Sequence, residues 1–426
     1  MNTQTKRLVR FLNTSHSVYH AVANLAAEME AKGYVRLAEG ESWDLQPGGK
    51  YYLTRGGTAL IAWRIPSQAP VGFLMAASHS DRPTFKVKEN GELVGTYTRL
   101  ATEKYGGMLM APWLDRPLSV AGRVQVETEN GAKSVLVDID KDLMLIPNVA
   151  IHMNRSANEG YKWNPAVDTL PLLGGKNAAG KLQKLLQKAA GGKIIGHDLF
   201  LYVRQNATVW GMDSEYISAA ALDDLQCAWG CTQGFLNADE SESIPVLCVF
   251  DSEEVGSASV QGAASPLLSD TLQRICACLS LDEKVMLANS FMISADNAHA
   301  VHPNHPEYAD GANAPVIGGG IVLKFNANLR YCTDGLAAAV LRTVCKKADV
   351  PVQTYCNRAD VPGGSTLGNI SLGHVAVPTA DIGLAQLAMH SCYETAGVQD
   401  SAYLEKAMAV YFGSTLTMSG DSFTLM

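Results

Sequence analysis

Apolar residues recur at helical spacing through the first thirty positions. Leu8, Phe11, Leu12, Val18, Val22 and Leu25 fall on one side of one or two helices between Thr5 and Lys32. Three short apolar runs follow, Tyr51–Thr54, Ala59–Trp63 and Val71–Ala76, and these read as strands. From about Pro83 to Tyr202 the texture changes to alternating runs such as Ser119–Thr128 and Ser134–Ile139, split by Gly and Asn turns. This middle block predicts a β-rich unit inserted into the chain. Within it, Gly180–Lys193 reads as a basic amphipathic helix with a solvated charged face.

Beyond Trp210, helical patterns alternate with continuous apolar runs. The helices are Ile217–Phe235, Leu267–Leu279, Thr333–Lys347 and Ala402–Ser419; the runs are Ile244–Phe250, Ser290–Ser294, Ile321–Phe325 and Val352–Tyr355. That alternation predicts an α/β fold, a layered catalytic domain with a central mixed sheet flanked by helices. The expected division is residues 1–84 and 206–426 for this domain and 85–205 for the β-rich insertion. In such sheets functional groups collect where strands end and loops begin.

Charge narrows the partner classes. A net charge of −8 disfavours nucleic acid, which requires a basic face. All nine cysteines stand at or after Cys227 without a C-x-x-C pair, which reads as reduced thiols rather than a disulfide or zinc framework. Met1 to Glu30 carries His, Asn and charges every few positions, unlike a signal peptide or a membrane span. The expectation is a soluble cytoplasmic protein.

The most informative stretch runs from Gln205 to Gln273, which holds eleven carboxylates and no Lys, Arg or His. Several abut apolar runs: Asp223 and Asp224 beside Ala219–Leu225, and Asp251, Glu253 and Glu254 after Val246–Phe250. Carboxylates brought to a core without a cationic side chain need another cation, and a bound metal is the simplest supplier. Five places join an apolar run to a ligand type: His79 with Asp81, Asp223 with Asp224, Glu253 with Glu254, Asp296, and His390. Imidazole mixed with hard oxygen suits zinc, or manganese and cobalt as substitutes. One His per ion with carboxylates between them is the makeup of a two-metal hydrolase.

Spacing adds roles. Asp81 is placed to hold the second nitrogen of a metal-bound His79. Adjacent Glu253 and Glu254 can divide two tasks, one ligating and one acting as general base. Two divalent ions are balanced by Asp223, Glu254, Asp296 and a hydroxide. Plainer explanations exist for neighbouring residues. Ser391 with Glu394 has the spacing of a helix capping box, and Asp224 reads as a solvated or helix-N-terminal charge. His299, His302 and His305 read as loop histidines that bond backbone, or as a further metal site broken by Pro303 and Pro306.

Read in order, the motifs His79-Ser80-Asp81-Arg82-Pro83, Leu222-Asp223-Asp224-Leu225, Asp251-Ser252-Glu253-Glu254-Val255-Gly256-Ser257, Ser294-Ala295-Asp296-Asn297-Ala298-His299-Ala300 and Gln386-Leu387-Ala388-Met389-His390-Ser391 resemble the aspartyl aminopeptidase family of cytosolic two-zinc exopeptidases. Tyr105-Gly106-Gly107, Trp113-Leu114-Asp115-Arg116-Pro117-Leu118 and Ile146-Pro147-Asn148-Val149-Ala150-Ile151-His152 resemble that family's inserted dimerisation domain. The resemblance implies His79 and Asp296 on one zinc, Glu254 and His390 on the other, Asp223 bridging, Glu253 as base and Asp81 orienting His79. It further implies that His152 reaches a neighbouring subunit's active site, and that Lys324 and Tyr331 line the substrate pocket, with the loop Gly363-Gly364-Ser365-Thr366 nearby. The implied substrates are peptides with an acidic first residue, and the implied assembly is a homo-oligomer of twelve subunits built from dimers. Ala221, Asp224 and Arg82 depart from the family pattern; they shift charge without removing a ligand, and bear on the acidic preference, for which Lys324 or Arg82 would supply the cation.

Overall fold

The computed structural model describes residues 1–426. Four strands set the architecture. Ile244–Phe250, Phe73–His79, Phe291–Ala295 and Thr379–Leu387 lie side by side in that order, all parallel. Their residues are almost wholly buried, as expected when helices cover both faces of a parallel sheet. Alternation along Phe73–His79 assigns the faces. Leu74 and Ala76 join a core with the helices Leu222–Asn237 and Val398–Phe412, while Phe73, Met75 and Ala77 join one with Leu267–Leu279.

Around this centre the sheet grows to thirteen strands and becomes mixed. Ala59–Arg64 pairs antiparallel with Ile244–Phe250 on one side. Ile321–Phe325 and Glu394–Gly397 both pair antiparallel with Thr379–Leu387 on the other. Flanking helices complete a layered α/β arrangement. Residues 84–203 lie outside this sheet. They form a second, six-stranded antiparallel sheet in the order Gly131–Asp138, Leu118–Thr128, Ile194–Val203, Thr84–Val94, Tyr97–Tyr105 and Leu172–Gly175. The helix Lys181–Ala190 buries Leu182 and Leu186 in this sheet's own core and keeps its lysines outward.

The opening segment forms two helices, Thr3–Thr14 and Val18–Ala31, capped by Asn2 and Ser17. Two predicted helices are shorter than their patterns. Ile217–Phe235 divides into a strand, Tyr216–Ala219, and the helix Leu222–Asn237, because Ile217 and Ala219 are taken up by pairing with Ala396 and Glu394. Ala402–Ser419 likewise ends as a helix at Phe412, and Leu416–Ser419 turns back on Ser422–Leu425 as a hairpin. Long-range strand pairing overrides local helical spacing in the first case, and a local hairpin does so in the second. No helix is long and apolar enough to cross a membrane.

Candidate metal centre

Parallel strands bring their carboxyl ends to one edge, and that edge collects the polar residues. His79 ends the Phe73–His79 strand in register with Phe250, so the turn Asp251–Glu254 emerges beside it. Asp296 follows Ala295 on the neighbouring strand, and His390 follows Leu387 on the next. Asp223 arrives separately, at the start of the helix Leu222–Asn237, where left-handed Ala221 (φ 58°) turns the chain from strand to helix.

Asp223 stands between the two imidazoles. Its Oδ1 lies 3.5 Å from His79 Nε2 and its Oδ2 lies 3.4 Å from His390 Nε2. His390 Nε2 is also 3.3 Å from Glu254 Oε2. Ligand atoms of His79, Asp223, Asp224 and Asp296 lie within 4.8 Å of one another, as do those of Asp223, Glu254 and His390. Asp223 Oδ1, Asp224 Oδ1 and Glu254 Oε1 are buried without a hydrogen-bond donor. Buried acceptor oxygens normally have partners, and a set of imidazoles and orphaned carboxylate oxygens at this spacing suits divalent zinc. The residues fit a metal.

Electrostatics agree. Burial, followed by the charge of Asp223, pushes the Glu254 carboxyl well above its ordinary range. Glu253 is pushed up to about 8, by burial first, with neighbouring acids adding to it. Burial alone would lower His79, but bonds to Asp223 and Asp81 outweigh it and hold the ring above its ordinary value. A cluster that prefers to be protonated when empty is one that a cation relieves.

Asp81 is a hub. Its carboxylate accepts the backbone N–H groups of Glu253 and Glu254, each at 3.1 Å, and the Tyr105 hydroxyl at 2.7 Å. His79 Nδ1 is 3.4 Å from Asp81 Oδ1 and 3.1 Å from the Asp81 carbonyl, so the residue meets the ring through both groups. Lys324 Nζ donates to the Asn297 carbonyl at 2.8 Å and lies 3.8 Å from Asp296 Oδ1.

A cavity of about 180 Å³ opens on the cluster and is lined by Glu253, His299, Lys324, Tyr331 and Thr366 among others. Arg82 is not among its walls; its Nη1 donates instead to the Ser15 carbonyl at 2.7 Å. His152 is exposed in a turn and does not line the cavity of its own chain. His302 and His305 lie in an exposed loop, where His305 Nδ1 meets Glu307. His299 lines the cavity.

Two residues differ in whole or part from their sequence reading. Asp224 stands in the first turn of its helix, one of the two alternatives, but it is fully buried rather than solvated, and its Oδ2 accepts the His79 backbone N–H at 3.1 Å. Glu394 caps no helix. It opens the strand Glu394–Gly397, fully buried, and accepts the N–H groups of Asp223 and His390. A signal for Asp224 existed in the apolar residues on both sides of it. None existed for Glu394, whose spacing from Ser391 imitates a cap.

A profile of the M18 peptidase family, described as aminopeptidase I zinc metalloprotease, matches residues 11–412. A probable M18 family aminopeptidase 2 of Clostridium acetobutylicum is 41% identical over 423 residues, covering 96% of this chain and 98% of that one. A chain in the cryo-EM structure of the Ape4 and Nbr1 complex superposes with a TM-score of 0.93 at 34% identity, covering 96% of this chain and 85% of that one. The mApe1 dodecamer of S. cerevisiae superposes with a TM-score of 0.84 at 26% identity, covering 96% of this chain and 95% of that one. With an acid-and-imidazole cluster at the carboxyl edge of its sheet and a match over nearly its full length, the chain belongs to the M18 family and is a zinc metalloaminopeptidase, a hydrolase.

Proposed function

We propose that this aminopeptidase releases single N-terminal residues, preferably Asp or Glu, from peptides at a two-zinc site. His79 and Asp296 would hold one ion, Glu254 and His390 the other, and Asp223 would bridge them. The observation that carries this reading is the two-sided carboxylate of Asp223, one oxygen toward His79 and the other toward His390. When bound, the metal pair supplies Lewis acidity and a nucleophilic water near neutral pH, with manganese or cobalt as substitutes. Glu253 stands outside both ligand groups and lines the cavity, so it is free to take a proton from the attacking water and return it to the departing amine. Asp81 orients His79. Lys324 and Tyr331 bind the substrate's first residue, and His152 of a neighbouring subunit stabilises the oxyanion.

Self-association is supported by the segment after Met144, which leaves Leu145, Val149, Ile151, Met153 and Val167 exposed around His152. A dodecamer accords with the S. cerevisiae mApe1 assembly; it would be built from dimers, with residues 85–205 as the dimerisation and lid unit. Nine free cysteines accord with a reducing, cytoplasmic location.

A broad-specificity reading of the same scaffold is favoured by one contact. Lys324 is already engaged by Asn297 and Asp296, which leaves less of its charge for an acidic substrate. Metal analysis paired with Asp-, Glu- and Leu-terminated dipeptides separates these readings. Two zinc ions per chain and faster turnover of acidic termini are expected, with loss of cleavage when the α-amine is blocked. Equal turnover of all three would favour the broad reading, and cleavage of blocked peptides would overturn both.

A further inference from the structure

The strand Tyr97–Tyr105 of the six-stranded sheet ends where the metal cluster begins. Three successive residues there touch three different members of that cluster. The Tyr105 hydroxyl donates to Asp81 Oδ2 at 2.7 Å. Gly106 has φ +76° and sits so close to Glu254 that a Cβ would lie 3.1 Å from the Glu254 Cβ and 3.3 Å from its carbonyl. Gly107 packs against His390, whose Nδ1 is 3.9 Å from where a Cβ on that glycine would stand. Two residues on, the Leu109 N–H donates to the His390 carbonyl at 3.0 Å.

These contacts reach both halves of the cluster. Through Asp81, Tyr105 acts on the His79 ring and on the backbone that carries Glu253 and Glu254. Burial, then the Asp81 charge, keeps the Tyr105 proton in place far into alkaline conditions, so the hydroxyl remains a donor. Its ring also packs edge-on against Phe200 of the same sheet, with centroids 5.8 Å apart. Groups that orient ligands typically change metal affinity or activity by about 10–100-fold when removed.

We propose that Tyr105, Gly106 and Gly107 form a positioning brace through which the six-stranded sheet sets the geometry of the metal centre. Tyr105 locks the Asp81 carboxylate, Gly106 at positive φ lets backbone abut Glu254 where a Cβ would press on it, and Gly107 continues that backbone past His390 at van der Waals distance. The proposal rests on the ligand assignment given above. None of the three residues lines the cavity, so their removal should act on metal affinity and turnover rather than on substrate recognition.

The test uses the full-length protein as wild type, Tyr105→Phe, Gly106→Ala and Phe200→Leu. Zinc affinity is measured by competition with a chromophoric chelator, and the visible spectrum is recorded with cobalt. Tyr105→Phe and Gly106→Ala should each weaken zinc binding by about 10–100-fold and alter the cobalt spectrum. KM should stay near the wild-type value while kcat falls, and the metal-free melting temperature should change little for Tyr105→Phe. Phe200→Leu, which keeps the hydroxyl, should bind zinc nearly as wild type. Wild-type affinity and spectrum in both Tyr105→Phe and Gly106→Ala would overturn the brace. Equal weakening by Phe200→Leu would reduce it to general packing and overturn it as well. A wild-type protein without stoichiometric metal would instead bring down the ligand assignment itself.

Discussion

Glu394 Oε1 accepts the backbone N–H of His390 at 2.7 Å, four residues earlier in the chain, while its other oxygen takes the N–H of Asp223 at 3.1 Å. One carboxylate thereby holds the backbone of two proposed ligands. In Glu394→Gln an amide NH₂ must face one of those donors, which breaks that bond and leaves a buried group unpaired. We expect zinc affinity to fall at least about tenfold, read by chelator competition, with circular dichroism unchanged.

Removing the proton-accepting oxygen of Glu253 tests the base. Glu253→Gln should retain its metal and lose about 10²–10⁴-fold or more in turnover. Metal content and single-turnover cleavage measured on one preparation check this, and near-normal turnover would end the assignment.

Proton linkage gives a signature of the metal-free protein. Burial holds Glu253 and Glu394 up to about 8 and Asp251 up to about 6. The folded chain therefore keeps protons that the unfolded chain has released, and stability falls as pH rises through that window. His79 and His390, both raised, act in the same direction. Asp223, held low, opposes them only in acid, below its ordinary range. Chelator-treated protein should melt at lower temperature at about pH 8 than at about pH 5. Excess zinc should remove or reverse the slope, because ligation displaces the protons of His79 and His390 and the cations lower the proton affinity of the neighbouring acids. Differential scanning fluorimetry of both forms is sufficient.

If His152 serves a neighbouring subunit, two inactive proteins should rescue one another. His152→Ala and Glu253→Gln chains, each feeble alone, should regain activity when unfolded and reassembled together. A mixture no more active than its components would confine His152 to its own chain.

Lys324 carries the question of specificity. Lys324→Met should reduce kcat/KM for Asp- and Glu-terminated dipeptides about tenfold more than for Leu-terminated ones, a difference of ~1.4 kcal/mol in the transition state. An equal loss on all three would assign the lysine to holding Asp296 and Asn297 in place.

Much of this site was legible along the chain because its strands are parallel and buried on both faces. Ile244–Phe250 is a continuous apolar run, so the acids that follow it mark the strand's end and lie at the same edge as His79. What local pattern could not reveal came from partners distant in sequence. Ser218-Ala219-Ala220-Ala221 is as good a helix as a strand until Ile217 meets Ala396. Glu394 looks like a cap until the Asp223 N–H arrives from 171 residues away. Arg82, three residues after His79, lies in the connection between Phe73–His79 and Thr84–Val94, and that connection carries it to the Ser15 carbonyl. Tyr105 was visible as part of a motif, but its contact with Asp81 depends on how two sheets meet.

His79 is made before the six-stranded sheet and His390 almost at the end of the chain. On the ribosome, the first imidazole must wait through more than three hundred residues of synthesis before the second emerges. Products of premature termination or clipping ahead of His390 would consequently lack the complete pocket.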